Sequence, residues 1–154
     1  VLLGPGVGQR FHVKHCRWRG GFSGCGVGRA GGVCGPGTGS GRVDAIGYRP
    51  GELHVGECKG GTSAKVGTYE VDGGKVEQGS AAYVGDRLAT DVDFHQKMRE
   101  NPALWEAIKD GCVTVHSDIV IARSGNAGRI DFKTVPIVLD PAHISRIDQA
   151  IKGH

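Results

Sequence analysis

Residues 1–43 contain no aspartate and no glutamate. They carry Arg10, Lys14, Arg17, Arg19, Arg29 and Arg42, whereas residues 44–154 hold 13 basic and 16 acidic side chains, so the positive charge is concentrated at the front. Long apolar runs are missing as well. No window approaches the roughly 20 residues that a membrane-crossing helix needs, and the N-terminus has neither the charged start nor the apolar core of a signal peptide. No internal repeat is found. The chain begins with Val rather than Met, as a piece cut from something larger would. No CxxC knuckle occurs, which removes the commonest zinc signature.

Glycine, by contrast, is abundant. Of 28 glycines, 14 fall in residues 1–43, where "RGGFSGCGVGRAGGVCGPGTGSG" offers little apolar surface to pack. Such a segment is loop-like or depends on a staple. Cys16, Cys25 and Cys34 stand nine apart behind His12 and His15. A three-Cys, one-His zinc site, a disulfide among the three, and free thiols are all open. Cys58 and Cys112 fall in strand-like sequence, where a thiol is usually a small apolar filler. The basic segment, with Phe11 and Trp18 as stacking groups, suits a phosphate backbone; a solvated arm is the plainer alternative. With 154 residues and 38% hydrophobic composition, the chain can bury one core. The expected division is a leader over 1–40 and one compact domain over 41–154.

Beyond residue 42 the punctuation becomes regular. "RVDAIGY" and "ELHVGECK" predict two strands joined by Arg49-Pro50-Gly51-Glu52, a type II turn with Pro and Gly at its centre. A polar, Gly-rich stretch over 60–77 follows, and then "QGSAAYVGDRLAT" predicts a helix opened by Gln78. "DFHQKMRENPALWEAIKDG" predicts two more helices, the second starting at Pro102. "CVTVHSDIVIAR" and "GRIDFKTVPIVL" predict strands around a Ser124-Gly125-Asn126 turn, and Asp140-Pro141 starts a final helix. The fold expected is α/β or α+β, a mixed sheet flanked by helices, behind a Gly-rich irregular N-terminal segment.

Side chains alternate along a strand, so Glu57 and Lys59 share one face while Gly56 and Cys58 take the other. Asp44 on the partner strand comes opposite them. Two converging carboxylates repel unless a cation sits between them, and oxygen ligands suit Mg²⁺ or Mn²⁺. A metal there polarises a phosphoryl oxygen and activates water, while Lys59 orients that water or neutralises developing charge. Gly60 and Gly61 leave room for a nucleic-acid backbone. His54 falls on the opposite face and reads as structural, His95 and His116 as surface or core residues, and Tyr83 as core.

Asp44, a turn, then Glu57-Cys58-Lys59 resembles the D…(D/E)xK signature of the PD-(D/E)XK nucleases, whose fold is restriction-endonuclease-like. The resemblance covers about residues 42–95. It implies that Asp44 and Glu57 bind metal with the Cys58 carbonyl as a further ligand, that Lys59 is the catalytic lysine, and that Gln78 supports the site or contacts phosphate. One departure is the acidic residue that many members place ahead of the first core strand: residues 1–43 have none, and Glu70 or Glu77 would have to substitute. The small size, basic leader and ExK core resemble C-terminal toxin domains of bacterial polymorphic toxins of the contact-dependent inhibition, type VI or Rhs kind. That implies secretion or delivery into a target-cell cytoplasm, a cognate immunity protein, and cleavage of DNA or, as second choice, tRNA.

Other readings stay in view. An Asp opposite a Glu-x-Lys also describes a solvated ion-pair patch. A non-catalytic, zinc-stapled nucleic-acid-binding module would use residues 1–43 instead. His54-x-x-Glu57 has the wrong spacing for a zinc deaminase and no CxxC follows.

Overall fold

The computed structural model describes residues 43–61, 63–122 and 130–153, together with the backbone of residues 33–34. Apart from the backbone of residues 33–34, the leader expected over 1–40, with its arginines, Lys14, and the side chains of Cys16, Cys25 and Cys34, lies outside the described residues. So do Arg42 and the Ser124-Gly125-Asn126 turn.

The expected mixed α+β architecture is present. In chain order the elements are β1 (Val33–Cys34), β2 (Ala45–Arg49), β3 (Glu52–Gly60), β4 (Thr68–Val71), β5 (Gly74–Glu77), α1 (Ala81–Thr90), α2 (Val92–Glu100), α3 (Pro102–Lys109), β6 (Thr114–Ala122), β7 (Ile130–Ile137) and α4 (Pro141–Lys152). The main sheet runs β1-β2-β3-β6-β7. All its neighbours are antiparallel except β3 and β6, which lie parallel with Glu57 level with Ile119 and His54 level with His116. A parallel pair needs a crossover, and residues 61–113 supply it.

Each element starts where its chemistry dictates. Gly51 takes φ 84°, as the third position of a type II turn requires, and Arg49 Nε donates to Glu52 Oε2 across that turn. α2 is capped by Asp91, whose carboxylate accepts from Phe94 N at 2.9 Å, and α4 by Asp140, which accepts from His143 N at 2.8 Å. Pro102 and Pro141 occupy first-turn positions, where a missing N–H costs nothing. The second Asp91 oxygen accepts from Val43 N at 3.0 Å and so ties the entry of β2 to the α1–α2 corner.

Two expectations are corrected. The polar stretch over 60–77 contains the β4–β5 hairpin, turned by Asp72 and Gly73 with φ of 50° and 77°. Positive φ at both central residues is the requirement of a type I′ turn. The first helix does not open at Gln78: Gln78 and Gly79 form a turn, and Ser80 caps α1 by accepting from Tyr83 N at 3.3 Å.

The core fills one side of the sheet. Leu53, Val55 and Val115 project toward Val84, Leu88, Phe94, Met98, Leu104, Trp105, Ile108 and Ile147 of the helices. By strand alternation Glu57 and Lys59 share the face of Leu53 and Val55, whereas Glu52, His54, Gly56 and Cys58 occupy the opposite face. Val43 is buried, as a core neighbour of the hairpin should be.

Candidate active site

Asp44 sits one residue before β2, and Ala45 pairs with Gly56, so Asp44 reaches the level of Glu57. Its Oδ2 accepts from the Cys58 backbone N at 2.8 Å, between the two side chains of the Glu57-x-Lys59 pair. Lys59 Nζ lies 3.5 Å from Glu57 Oε2. The hairpin therefore collects Asp44, Glu57 and Lys59 at one place, as expected from the sequence.

Glu57 is only 5% exposed, which is unusual for a carboxylate. Its Oε1 accepts from the Tyr83 hydroxyl at 2.6 Å, while Oε2 has the lysine at the limit of hydrogen-bond reach. Burial pushes the Tyr83 hydroxyl well above its ordinary value, and the bond to Glu57 raises it further. The phenol thus remains a proton donor over the whole physiological range. The Arg87 guanidinium stacks 3.9 Å above the Tyr69 ring and 5.1 Å from that of Tyr83, fixing the phenol from behind. Tyr83 is a core residue, as expected, and also the donor that holds Glu57, a role that the sequence did not announce. Its signal was its place on the buried stripe of a helix following the ExK strand.

Gln78 reaches the site indirectly. Its Oε1 accepts from Gly67 N at 3.0 Å, pinning the loop that follows β3, and its side chain also acts on the Tyr83 hydroxyl. Gly79 has φ 84°, and a Cβ there would stand 2.5 Å from Ile119 Cδ1, so this turn can approach β6 only as glycine. Beside it opens a cleft of about 290 Å³ lined by Glu77, Gln78, Ser80, Ser117 and Lys133 among others. Lys133 is level with Ile119, and Ile119 with Glu57, which places the cleft along the same sheet face. Glu70 is exposed on β4; Glu77 is the one of the two suggested substitutes that lines this cleft.

Cys58 is not an apolar filler, whereas Cys112 packs against the core. Cys58 is exposed and free, its thiol pushed up by partial desolvation and then by the charges of Asp44 and Glu57. Its side chain points away from Glu57, so only its backbone can serve the carboxylate site. Cys112 precedes β6 and is disulfide-bonded. His95 is a core residue whose Nε2 hydrogen-bonds with Leu88 O at 2.8 Å.

Asp44 and Glu57 offer carboxylate oxygens, the donor type a hard divalent ion takes; Glu57 is buried, with one oxygen on the Tyr83 hydroxyl and the other 3.5 Å from Lys59 Nζ. Comparison with family models, curated proteins and solved structures yields no match.

Proposed function

We propose that the chain is a metal-dependent phosphodiesterase of the PD-(D/E)XK type, acting on nucleic acid with DNA as the preferred substrate. The observation that carries this reading is the clamp of Asp44 on the Cys58 amide. It brings the aspartate to the Glu57–Lys59 pair on the strand that enters the parallel crossover. Asp44, Glu57 and the Cys58 carbonyl would hold Mg²⁺ or Mn²⁺. When bound, such an ion polarises a phosphoryl oxygen and lowers the pKa of water.

The chain's own residues supply the remainder. Lys59, 28% exposed, faces solvent enough to meet a phosphate and neutralise charge developing on it. Tyr83 and Arg87 hold Glu57 in one orientation. Gln78 pins the loop after β3 at Gly67 and lines the cleft, along which a sugar-phosphate backbone can approach beside Lys133. A toxin domain delivered into a competitor's cytoplasm and neutralised by an immunity protein is the biological setting of this reading, supported by the basic composition of residues 1–43.

The test is cleavage of supercoiled plasmid and of total tRNA by the full chain, with Mg²⁺ and with EDTA. Plasmid should be lost only with the metal, and Lys59→Ala should slow cleavage by about 10²–10³-fold, the usual loss for one transition-state donor. Asp44→Ala and Glu57→Gln should lose activity and Mg²⁺ affinity together. Loss of tRNA alone would keep the site and change the substrate; full activity in all three variants would remove the site.

A further inference from the structure

The face of the sheet turned away from the helices carries a second, nitrogen-rich cluster. β3 and β6 are parallel and in register at His54 and His116, so the two imidazoles stand side by side, ring centroids 4.8 Å apart and planes within 9°. Glu52, two residues before His54, projects from the same face. Its Oε1 lies 3.5 Å from His116 Nε2 and its Oε2 3.9 Å from His54 Nε2. One donor atom from each residue fits inside a 4.8 Å span. Four ligands at zinc's usual 2.0–2.1 Å in a tetrahedron stand about 3.4 Å apart, so the longest edge of this triangle must close by about 1.4 Å, with rotation of the stacked rings about their side-chain bonds.

The hydrogen-bond pattern points to a metal rather than to an ordinary polar cluster. His54 Nδ1 lies 2.9 Å from Asp118 Oδ2, which makes Nδ1 the protonated nitrogen and leaves a lone pair on Nε2. A carboxylate holding the far nitrogen of a histidine is the arrangement that orients imidazole ligands. His54 Nε2 and His116 Nε2 are both buried and form no hydrogen bond among the described residues; a buried polar atom in that condition costs about 1–3 kcal/mol. Arg49 engages only Oε2 of Glu52, so Oε1 remains available beside His116.

We infer that Glu52, His54 and His116 form a transition-metal site, with Asp118 orienting His54 and one coordination position left to water. Two imidazoles and one carboxylate suit a first-row transition ion, of which Zn²⁺ is the probe chosen, and not Mg²⁺, which takes oxygen ligands. The site bridges the two parallel strands on the face opposite Glu57 and Lys59. It is chemically and spatially distinct from the carboxylate site, and it does not depend on the nuclease reading.

Equilibrium dialysis of the full chain against Zn²⁺, with Mg²⁺ in excess, tests it. Wild type should hold one equivalent more than His116→Ala and Glu52→Gln, whatever residues 1–43 bind, and Glu57→Gln should match wild type. Asp118→Asn should weaken binding about 10–100-fold, the usual cost of losing such a partner. Unchanged stoichiometry in folded His116→Ala overturns the site. Should the variants not fold, long-range ¹H–¹⁵N spectra of the wild-type imidazoles decide: Zn²⁺ must move Nε2 of both His54 and His116, and unmoved resonances refute the assignment.

Discussion

Tyr83 fills core volume with its ring and ends in the hydroxyl that satisfies Glu57. Removing only the oxygen separates the two roles. Tyr83→Phe keeps the packing and leaves one buried carboxylate oxygen without its donor, so stability should fall by about 1.5–3 kcal/mol, the range for hydrogen bonds to charged groups. In the Glu57→Gln background the same substitution should cost clearly less. Urea unfolding of the four proteins in the cycle measures the coupling; equal losses in both backgrounds would mean that the charge of Glu57 adds nothing to the bond. The carboxylates and Lys59 were legible in the sequence because strand alternation alone fixes which residues of one hairpin share a face. Tyr83's bond was not, since it depends on where a helix 26 residues downstream docks. The histidine cluster stayed hidden for the same reason. Parity put His54 on the correct face, but only the β3–β6 register places His116 beside it.

At the scale of elements, α1 and α4 approach closely enough that one side chain is forbidden between them. A Cβ on Gly85 would meet the His143 ring at 2.4 Å, and His143 is buried with its Nδ1 2.8 Å from Asp140 Oδ2. The ring cannot yield without moving the cap of α4. Gly85→Ala, which raises helix propensity in isolation, should therefore destabilise by about 1–3 kcal/mol through overpacking; thermal unfolding reads the sign directly. α3 and α4 are joined instead by polar contacts to Asp148, which takes the Trp105 indole N–H at 2.9 Å together with Lys152 and Lys109. These donors, Lys152 first and then Trp105, hold the Asp148 carboxyl at about 2 against an ordinary 3.8. Because the folded value lies below the unfolded one, the contribution is complete above about pH 4 and disappears as pH falls toward 2. Asp148→Asn should lower the urea midpoint at pH 6 and converge with wild type near pH 2; a gap that does not change with pH would exclude the linkage. The helices and main strands were readable from caps, prolines and periodicity. The β4–β5 hairpin was not, because its strands are four residues each and mostly exposed, so no apolar alternation marks them beyond the Asp72-Gly73 turn. Gln78 was misplaced because Ser80, two residues later, is the better cap.

Across the whole molecule the two halves of the charge distribution have opposite sign, and the residues that carry the carboxylate site lie in the net-acidic part. A polyanionic substrate meets net repulsion there, offset only locally by Lys59 and Lys133. On the nuclease reading, affinity must then come from the basic front of the chain, and it must be electrostatic. Replacing Arg10, Lys14, Arg17, Arg19 and Arg29 by glutamine keeps the chain length and removes five cations. Binding of a duplex oligonucleotide by the Glu57→Gln variant, which should not cut, can be followed from 50 to 300 mM salt with and without those replacements. Each phosphate contact contributes about 0.9 to the slope of log K against log salt, so the slope should flatten by up to about 4.5. Cleavage at saturating substrate, measured in the Glu57 parent, should change far less than affinity, because the replaced residues would hold the substrate without touching the reacting phosphate. A slope that stays the same would detach residues 1–43 from nucleic-acid binding and leave the cleft beside Gln78 and Lys133 to supply the affinity alone.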